Sequence, residues 1–211
     1  MKELSGFARE GGFRCLEFTP TGDGAPDRAI VYLHGAGERG DDVQVLKRYG
    51  LPLLLASGAA RVDCAVLCPQ LDANGDWEPD RLAMFLAGVR ATFPKLALIG
   101  YSLGGQGVCD VVARHGPVAN LAIAIAGRGG EEVLAPQGGV VAVAISGEVD
   151  ALSSTTAFLR GVRTKGGLSH EIVLPGHGHF ISEIALEEPL CRSLLEEAGF
   201  NIRFARDELQ A

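Results

Sequence analysis

The sequence has 211 residues, a mass of 22.1 kDa and a formal net charge of -7, with 47% apolar and 21% charged residues. This size predicts one domain, and the composition is that of a globular protein with a large core. The acidic balance argues against nucleic acid as a partner, because phosphate contacts need clustered lysine and arginine. No apolar run approaches the roughly 18 residues of a membrane-spanning helix, so no membrane insertion is expected.

Apolar runs rich in β-branched residues alternate with stretches of helical periodicity along the chain. In chain order, the predicted strands are an edge strand Phe13–Thr19 and buried strands Arg28–Leu33, Val62–Cys68, Lys95–Gly100, Leu121–Ala126, Val140–Ile145 and His170–Leu174. The predicted helices are Val43–Ser57 with an interruption at Pro52, Pro79–Thr92, Leu103–His115, Ala151–Lys165 and Ile181–Ala198, irregular near Pro189. This alternation indicates an α/β protein with a mostly parallel sheet covered by helices on both faces. Functional residues are then expected where the strands end.

One such strand end carries Gly100-Tyr101-Ser102-Leu103-Gly104, which fits the pattern G-x-S-x-G between a strand and a helix. Side chains at the two glycine positions would collide with so tight a turn, and the serine hydroxyl is pushed out above the sheet. A glycine-rich turn with an incidental serine is the alternative. With this motif the chain resembles the α/β-hydrolase superfamily. More narrowly, it resembles the small carboxylesterase and predicted-esterase group, including phospholipase/carboxylesterase-like and dienelactone-hydrolase-like proteins.

The resemblance implies a nucleophilic Ser102 and an oxyanion hole in the loop that follows the first buried strand. That loop begins His34-Gly35-Ala36-Gly37, and the implied donors are the backbone N–H groups of Ala36 and Leu103. Glycine at 35 and 37 lets the backbone turn, and Gly37 is also a candidate pocket residue. His34 is predicted to hold the loop by hydrogen bonds rather than to act as a base.

Two charged residues follow in the same loop. Glu38 and Arg39 are predicted either to form an ion pair that stabilises the loop or to contact polar substrate groups. A solvated charged turn is the alternative.

The late segment Pro175–Phe180 contains two histidines after the last predicted strand. Gly178-His179-Phe180 matches the pattern of the resembling family better than His177 and its neighbours do, so His179 is predicted as the base. A metal site at His177 and His179 is the alternative, but flanking glycines make the segment a loop rather than a strand.

The acid is expected after the preceding strand, where the sequence reads Ser146-Gly147-Glu148-Val149-Asp150. The resemblance selects Asp150 in a Gly-x-x-Asp turn, with Glu148 as the alternative. Its carboxylate would fix the histidine tautomer and stabilise the imidazolium. The chain order Ser, Asp, His is the order of this fold and differs from that of trypsin-type and subtilisin-type enzymes.

About a dozen residues, 128–139, connect two of the predicted strands, which leaves no room for a substantial lid. An open site favours small or soluble esters as substrates, with Trp77 and Tyr101 as candidate pocket residues; for Trp77, closing the end of the core is the alternative. The expectation is a single-domain carboxylesterase-type serine hydrolase that needs no metal or organic cofactor. Thioesters, lactones and short peptides stay open as substrates, and so does a binding protein that has lost the chemistry.

Residues 1–12 contain no apolar signal-like stretch, and the five cysteines fit small buried residues in a reducing compartment. The sequence-based expectation is therefore the cytoplasm, and a homodimer stays open.

Overall fold

A computed structural model describes residues 1–8, 12–21, 26–129 and 132–208. The strands are β1 (Lys2–Ala8), β2 (Arg14–Thr19), β3 (Arg28–Leu33), β4 (Ala60–Val62), β5 (Ala65–Gln70), β6 (Lys95–Tyr101), β7 (Leu121–Ile125), β8 (Val141–Gly147), β9 (Leu168–Leu174) and β10 (Ile202–Phe204). The α-helices are α1 (Gly50–Ala56), α2 (Pro79–Thr92), α3 (Leu103–His115), α4 (Thr156–Thr164), α5 (Ser182–Glu187), α6 (Pro189–Glu197) and α7 (Ala205–Glu208). Two 3-10 helices span Ala36–Glu38 and Val43–Arg48.

Eight of the strands form one twisted sheet in the order β1-β2-β5-β3-β6-β7-β8-β9. The two pairs β1–β2 and β2–β5 are antiparallel, whereas every pair from β5 to β9 is parallel. The register places Leu33, the last residue of β3, opposite Gly100, one residue before the end of β6, and places the last residues of β8 and β9 opposite each other. Because parallel strands end at the same edge, the loops after β3, β6, β8 and β9 emerge together.

The core has two apolar layers, one on each face of the sheet. Leu96 and Leu98 of β6 pack with residues of α2, α3 and α4, whereas Ala97 and Ile99 pack with residues of α1, α5 and α6. This is the two-residue alternation of a strand that is buried on both faces. The predicted mostly parallel sheet with helices on both faces is confirmed.

The helices with the strongest local signals have the predicted bounds. Pro79 begins α2, where its missing N–H is not needed, and α2 ends at Thr92 as predicted. Helix α3 begins directly after Ser102 and ends at His115, before Gly116 with a positive φ of 80°. The closing helical region is divided at Pro189 into α5 and α6, as its irregularity predicted.

Four sequence-based predictions of elements were wrong in detail. The helix predicted for Ala151–Lys165 begins only at Thr156. Strand β2 is not the edge of the sheet, because β1 pairs outside it. The run Val62–Cys68 is divided, since β4 ends at Val62 and pairs with β10 in a separate two-stranded sheet. Pro52 does not interrupt the helix there: it lies in the first turn of α1, where its missing N–H costs little, and the break falls at Tyr49.

The connection between β7 and β8 is held against the body of the molecule in its described part, 126–129 and 132–140, which contains no helix. The N–H groups of Leu134 and Ala135 donate to the carbonyl of Ala113, at the end of α3 remote from Ser102. This is consistent with the absence of a substantial lid over that edge of the sheet. No helix among the described residues is long and apolar enough to cross a bilayer.

Phe85 and Met84 are neighbours on α2 with opposite environments. Phe85 is fully buried against the sheet, whereas Met84 is 65% exposed. We expect Phe85→Ala to lower the free energy of unfolding by about 3–5 kcal/mol, because it removes buried apolar surface and leaves a cavity. Met84→Ala is the matched control and should change it by less than about 0.5 kcal/mol. Urea denaturation measures both, and equal effects would contradict the assigned packing.

Candidate active site

The turn at Ser102 joins β6 to α3 with unusual backbone angles. Ser102 has φ 54° and ψ -113°, which is costly for a residue other than glycine. Its N–H donates to the carbonyl of Ile125 in β7, at 2.8 Å, so the neighbouring strand holds the turn. A Cβ at Gly100 would lie 2.1 Å from the Gly104 carbonyl oxygen, and one at Gly104 would lie 2.0 Å from the Leu33 carbonyl oxygen. Both glycines are therefore required by close backbone approach, as the motif predicted.

The side chains of Ser102, His179 and Asp150 form a continuous hydrogen-bonded chain. Ser102 Oγ lies 2.8 Å from His179 Nε2, and His179 Nδ1 lies 2.9 Å from Asp150 Oδ2. With Nδ1–H donating to the carboxylate, Nε2 is the ring nitrogen left to accept the serine proton. The structure thus brings together three residues that follow β6, β8 and β9.

The Asp150 carboxylate is buried but well supplied with donors. Its side chain is 1% exposed, and Oδ1 accepts the Leu152 N–H at 2.9 Å. Burial by itself would raise the pKa of Asp150. The hydrogen bonds from His179 and the Leu152 N–H outweigh that effect and hold its pKa below the ordinary value. The carboxylate is therefore ionised at neutral pH and able to orient the imidazole.

The main chain of His179 is held by the residue just before Ser102. The Tyr101 hydroxyl donates to the His179 carbonyl at 3.3 Å, and the two rings lie 5.7 Å apart. Tyr101 is nearly buried, so it supports the base at least as much as it lines a pocket. The next residue, Phe180, meets the imidazole edge-on and is 80% exposed.

The alternative residues occupy supporting positions. His177 is exposed, and its Nδ1 bonds to the Pro175 carbonyl at 2.8 Å within the same loop. Glu148 accepts the Gly176 N–H at 2.8 Å and so ties the loop after β8 to the loop after β9. The rings of His177 and His179 therefore have different partners. Among the described residues, no group of three His, Cys, Asp or Glu side chains is arranged to hold a metal ion.

The loop after β3 lies against the nucleophile. A Cβ on Gly35 would lie 3.5 Å from Ser102 Cβ. The Gly35 carbonyl accepts hydrogen bonds from the His34 ring at 2.6 Å and from the Glu38 N–H at 3.4 Å. Because a trans peptide directs its N–H opposite to its C=O, the Ala36 N–H points away from those partners. Ala36 is exposed and begins a 3-10 helix, so its N–H has no partner within that helix.

The second candidate donor, the Leu103 N–H, is the first of helix α3 and has no partner within that helix. The positive end of the α3 dipole adds to it, because the free N–H groups of a helix start attract negative charge. The two proposed donors therefore both lie at helix starts beside Ser102. Gly37, the next residue of the loop after β3, is exposed with nothing within 4 Å of a Cβ, so the structure leaves it free to face a ligand.

His34 is a buried connector, as predicted. Its Nδ1–H donates to the Gly35 carbonyl, and Nε2 accepts the Leu71 N–H at 3.0 Å. Both ring nitrogens are thus used in the neutral form. Burial lowers the pKa of His34 to about 4, against the raising effect of its bond to the Gly35 carbonyl.

The predicted ion pair between Glu38 and Arg39 is wrong. Arg39 pairs with Asp76 at 3.3 Å, whereas Glu38 turns inward and accepts the Gly35 N–H at 3.0 Å. Consecutive residues in this turn face opposite sides, so one reaches solvent and the other the interior. The sequence did not predict the inward position of Glu38 or its contact with Gln70, whose amide donates to the Glu38 carbonyl at 3.1 Å. The one available signal was the Glu three residues after the cap Gly35.

Trp77 has both of the roles that the sequence left open, since it closes the core and also lines a cavity. Its ring packs on Phe13 and His34 in the core, and its indole N–H donates to the His34 carbonyl at 3.2 Å. The same residue lines a cavity of about 140 Å³ together with Leu103 and Gln106. The Trp77 ring therefore closes the core beside the turn at Ser102 and lines the small cavity there.

Solved structures of known proteins share this architecture. A thermostable esterase superposes with a TM-score of 0.64 at 20% identity over 92% of this chain and 62% of that protein, so this chain spans less than two thirds of its length. Esterase PE8 superposes with a TM-score of 0.57 at 20% identity, over 94% of this chain and 100% of that protein. For carboxylesterase CesB (YbfK) from Bacillus subtilis the TM-score is 0.57 at 13% identity, over 92% and 90%.

This protein has the α/β-hydrolase fold. No family model matches its sequence, and no curated protein sequence matches it. The likeness is therefore one of fold. In this protein the candidate residues follow the strands in the order Ser, Asp, His.

The buried neutral His34 should make the stability of this protein depend on pH. A folded-state pKa of about 4, below the ordinary 6.5, means that the unfolded chain binds more protons between these values. The contribution of His34 is therefore complete above pH 6.5 and should fall by about 3 kcal/mol as the pH falls to 4. We expect the difference in unfolding free energy between the wild type and His34→Gln to shrink over this range.

His177→Gln is the matched control, because His177 is exposed. Urea denaturation at several pH values measures all three proteins. If the difference between His34→Gln and the wild type stayed constant from pH 7 to pH 4, His34 would not be held neutral.

Proposed function

We propose that this protein is a serine hydrolase that cleaves carboxylic esters through an acyl-enzyme. The observation that carries the proposal is the hydrogen-bonded chain Ser102 Oγ–His179 Nε2 at 2.8 Å and His179 Nδ1–Asp150 Oδ2 at 2.9 Å. A serine on a strained turn, an imidazole and a buried carboxylate have the roles of nucleophile, base and orienting acid.

The reaction follows from these positions. Ser102 Oγ attacks the carbonyl carbon while its proton passes to His179 Nε2, and the Ala36 and Leu103 N–H groups stabilise the oxyanion. Collapse of the tetrahedral intermediate breaks the ester bond, and the leaving oxygen takes the proton from Nε2. A water molecule then loses a proton to His179 and attacks the acyl carbonyl, which releases the acid and restores Ser102.

Several features favour small or soluble esters as substrates. The described part of the β7–β8 connection lies away from the site, and Ala36 and Gly37 are exposed beside it. Phe180, Val149 and Leu152 are exposed apolar side chains in the two loops that carry His179 and Asp150. A compact apolar acyl or alcohol group could contact them without a deep tunnel. Several structurally similar proteins are esterases, which agrees with this substrate class.

The first functional prediction concerns the hydrogen-bonded side chains of Ser102, His179 and Asp150. We expect Ser102→Ala and His179→Ala to lower kcat at least about 10⁴-fold, and Asp150→Asn to lower it by about 10⁴-fold through loss of the correct imidazole tautomer. The matched controls are His177→Ala and Glu148→Gln, which alter the neighbouring histidine and the neighbouring acid and should retain most of the activity. Hydrolysis of p-nitrophenyl acetate measures all five variants.

A fluorophosphonate probe tests the nucleophile independently of the substrate. The folded wild type should be labelled, and Ser102→Ala should not. Absence of labelling in folded protein would favour a binding protein that has kept the fold without the chemistry. Loss of turnover in His177→Ala but not in His179→Ala would show that the base is assigned wrongly.

The second functional prediction concerns chain length. We expect kcat/KM for p-nitrophenyl esters to be highest for acyl chains of about two to four carbons and to fall for long chains, since the shallow site buries little of a long chain. Matched thioesters and lactones, measured in parallel, separate the remaining substrate classes. A rise in kcat/KM up to long acyl chains would contradict an open, shallow site.

A further inference from the structure

Glu38 is a buried acid beside the proposed oxyanion hole, and it takes no part in the proton transfers of the proposed reaction. The residue is 1% exposed. Its Oε2 accepts the Gly35 N–H at 3.0 Å, whereas Oε1 is buried without a hydrogen-bond partner among the described residues. A buried carboxylate oxygen without a partner is costly, which argues that this carboxyl has a reason to be there.

The Glu38 carboxyl holds the His34–Gly35 peptide, directly before the peptide of the proposed oxyanion donor, and the Glu38 backbone N–H holds that next peptide. Glu38 contacts both sides of Gly35: its side chain accepts the Gly35 N–H, and its own N–H donates to the Gly35 carbonyl. That carbonyl belongs to the same peptide unit as the Ala36 N–H. Since the peptide is planar, fixing its C=O also fixes the direction of the N–H. Gly35 in turn packs on Ser102, because a Cβ there would lie 3.5 Å from Ser102 Cβ and 3.5 Å from Glu38 Oε2.

The loop that carries Glu38 is also held by hydrogen bonds from β5. The Gln70 amide donates to the Glu38 carbonyl at 3.1 Å and to the Asp42 carbonyl at 2.9 Å. Glu38 therefore cannot easily rotate into solvent, and its carboxyl remains between β5 and the turn at Ser102.

The charge state of Glu38 matters because an oxyanion would form nearby. A carboxylate would repel that negative charge in a poorly solvated place. A neutral carboxyl can still accept the Gly35 N–H through Oε2 while Oε1 carries the proton.

The surroundings of Glu38 favour the neutral form. Burial raises the pKa of Glu38 to about 7, with Glu183 adding to the rise and with the Gly35 N–H and Arg48 opposing it. Titratable or charged side chains face it from five surrounding elements: Tyr32, Arg48, Cys68, Tyr101 and Glu183. Of these, Arg48 alone is cationic, and it is exposed. Near neutral pH the carboxyl therefore passes between its two forms.

We propose that Glu38 is a positioning residue that aligns the Gly35–Ala36 peptide for the oxyanion, and that the site is fully active while the Glu38 carboxyl is neutral. The part that concerns turnover rests on the proposed hydrolase function. The contact between Glu38 and Gly35 does not depend on that function, and it can be tested by itself.

The first measurement is the pH profile of kcat/KM for p-nitrophenyl acetate. In the wild type it should fall above about pH 7 as Glu38 ionises. Glu38→Gln keeps an oxygen acceptor without a charge, so it should abolish the fall and retain activity at pH 6. Glu38→Ala removes the acceptor and should lower kcat by about 10- to 100-fold with little change in KM, because a misaligned donor affects the transition state. Asp41→Asn, an exposed acid in the same loop, should keep the wild-type profile.

The second measurement reads the contact without turnover. The Gly35 amide in a ¹H–¹⁵N spectrum should shift with a midpoint near pH 7 in the wild type and in Asp41→Asn, and should not do so in Glu38→Gln. This readout and Glu38→Gln remain decisive if Glu38→Ala does not fold.

The outcomes separate the two proposals. A Gly35 amide that does not titrate, or an alkaline fall that persists in Glu38→Gln, would overturn the role of Glu38. Titration of Gly35 as described in a protein that hydrolyses no ester would overturn the hydrolase function and support the Glu38–Gly35 contact.

Discussion

The strained turn at Ser102 is the constraint on which the rest of this site depends. A non-glycine residue at φ 54° and ψ -113° persists only where its surroundings hold it. Here the Ser102 N–H bonds to Ile125 in β7, and α3 begins at the next residue. The turn brings the backbone of Gly104 so close to Leu33 that a single added methyl group would not fit. The position of the serine is thereby linked to β3, β6 and β7 together.

Because the turn at Ser102 packs against the end of β3, polar backbone of the loop after β3 is buried near this edge of the sheet. The loop after β3 cannot pair in the sheet, and each unsatisfied buried group would cost about 1–3 kcal/mol. The side chains of His34, Glu38, Gln70 and Trp77 supply hydrogen bonds to this loop and its neighbours. The neutral form of His34 and the raised pKa of Glu38 both follow from this burial. One network therefore determines the shape of the loop and the charges within it.

Elements with strong local signals were predicted closely, and those that depend on distant partners were not. Helices α2 and α3 have the predicted bounds because proline begins one and glycine follows the other. Strand β4 and its partner β10 were missed because three residues carry too little periodicity to identify a strand. The inward turn of Glu38 was missed because a charged residue in a loop is ordinarily solvated, and only its contact with Gly35 distinguishes it.

The sequence by itself determined the order of strands and helices, the G-x-S-x-G turn and the residue types that follow three of the strands. These features depend on turn chemistry and on a periodicity that a few neighbouring residues express. The resemblance favoured His179 and Asp150, but only the tertiary structure shows that His179 rather than His177 contacts Ser102 and that Asp150 rather than Glu148 contacts His179. Ser102 and His179 are 77 positions apart in the chain. Their contact is set by the register of parallel strands across the sheet, which no local stretch of sequence contains.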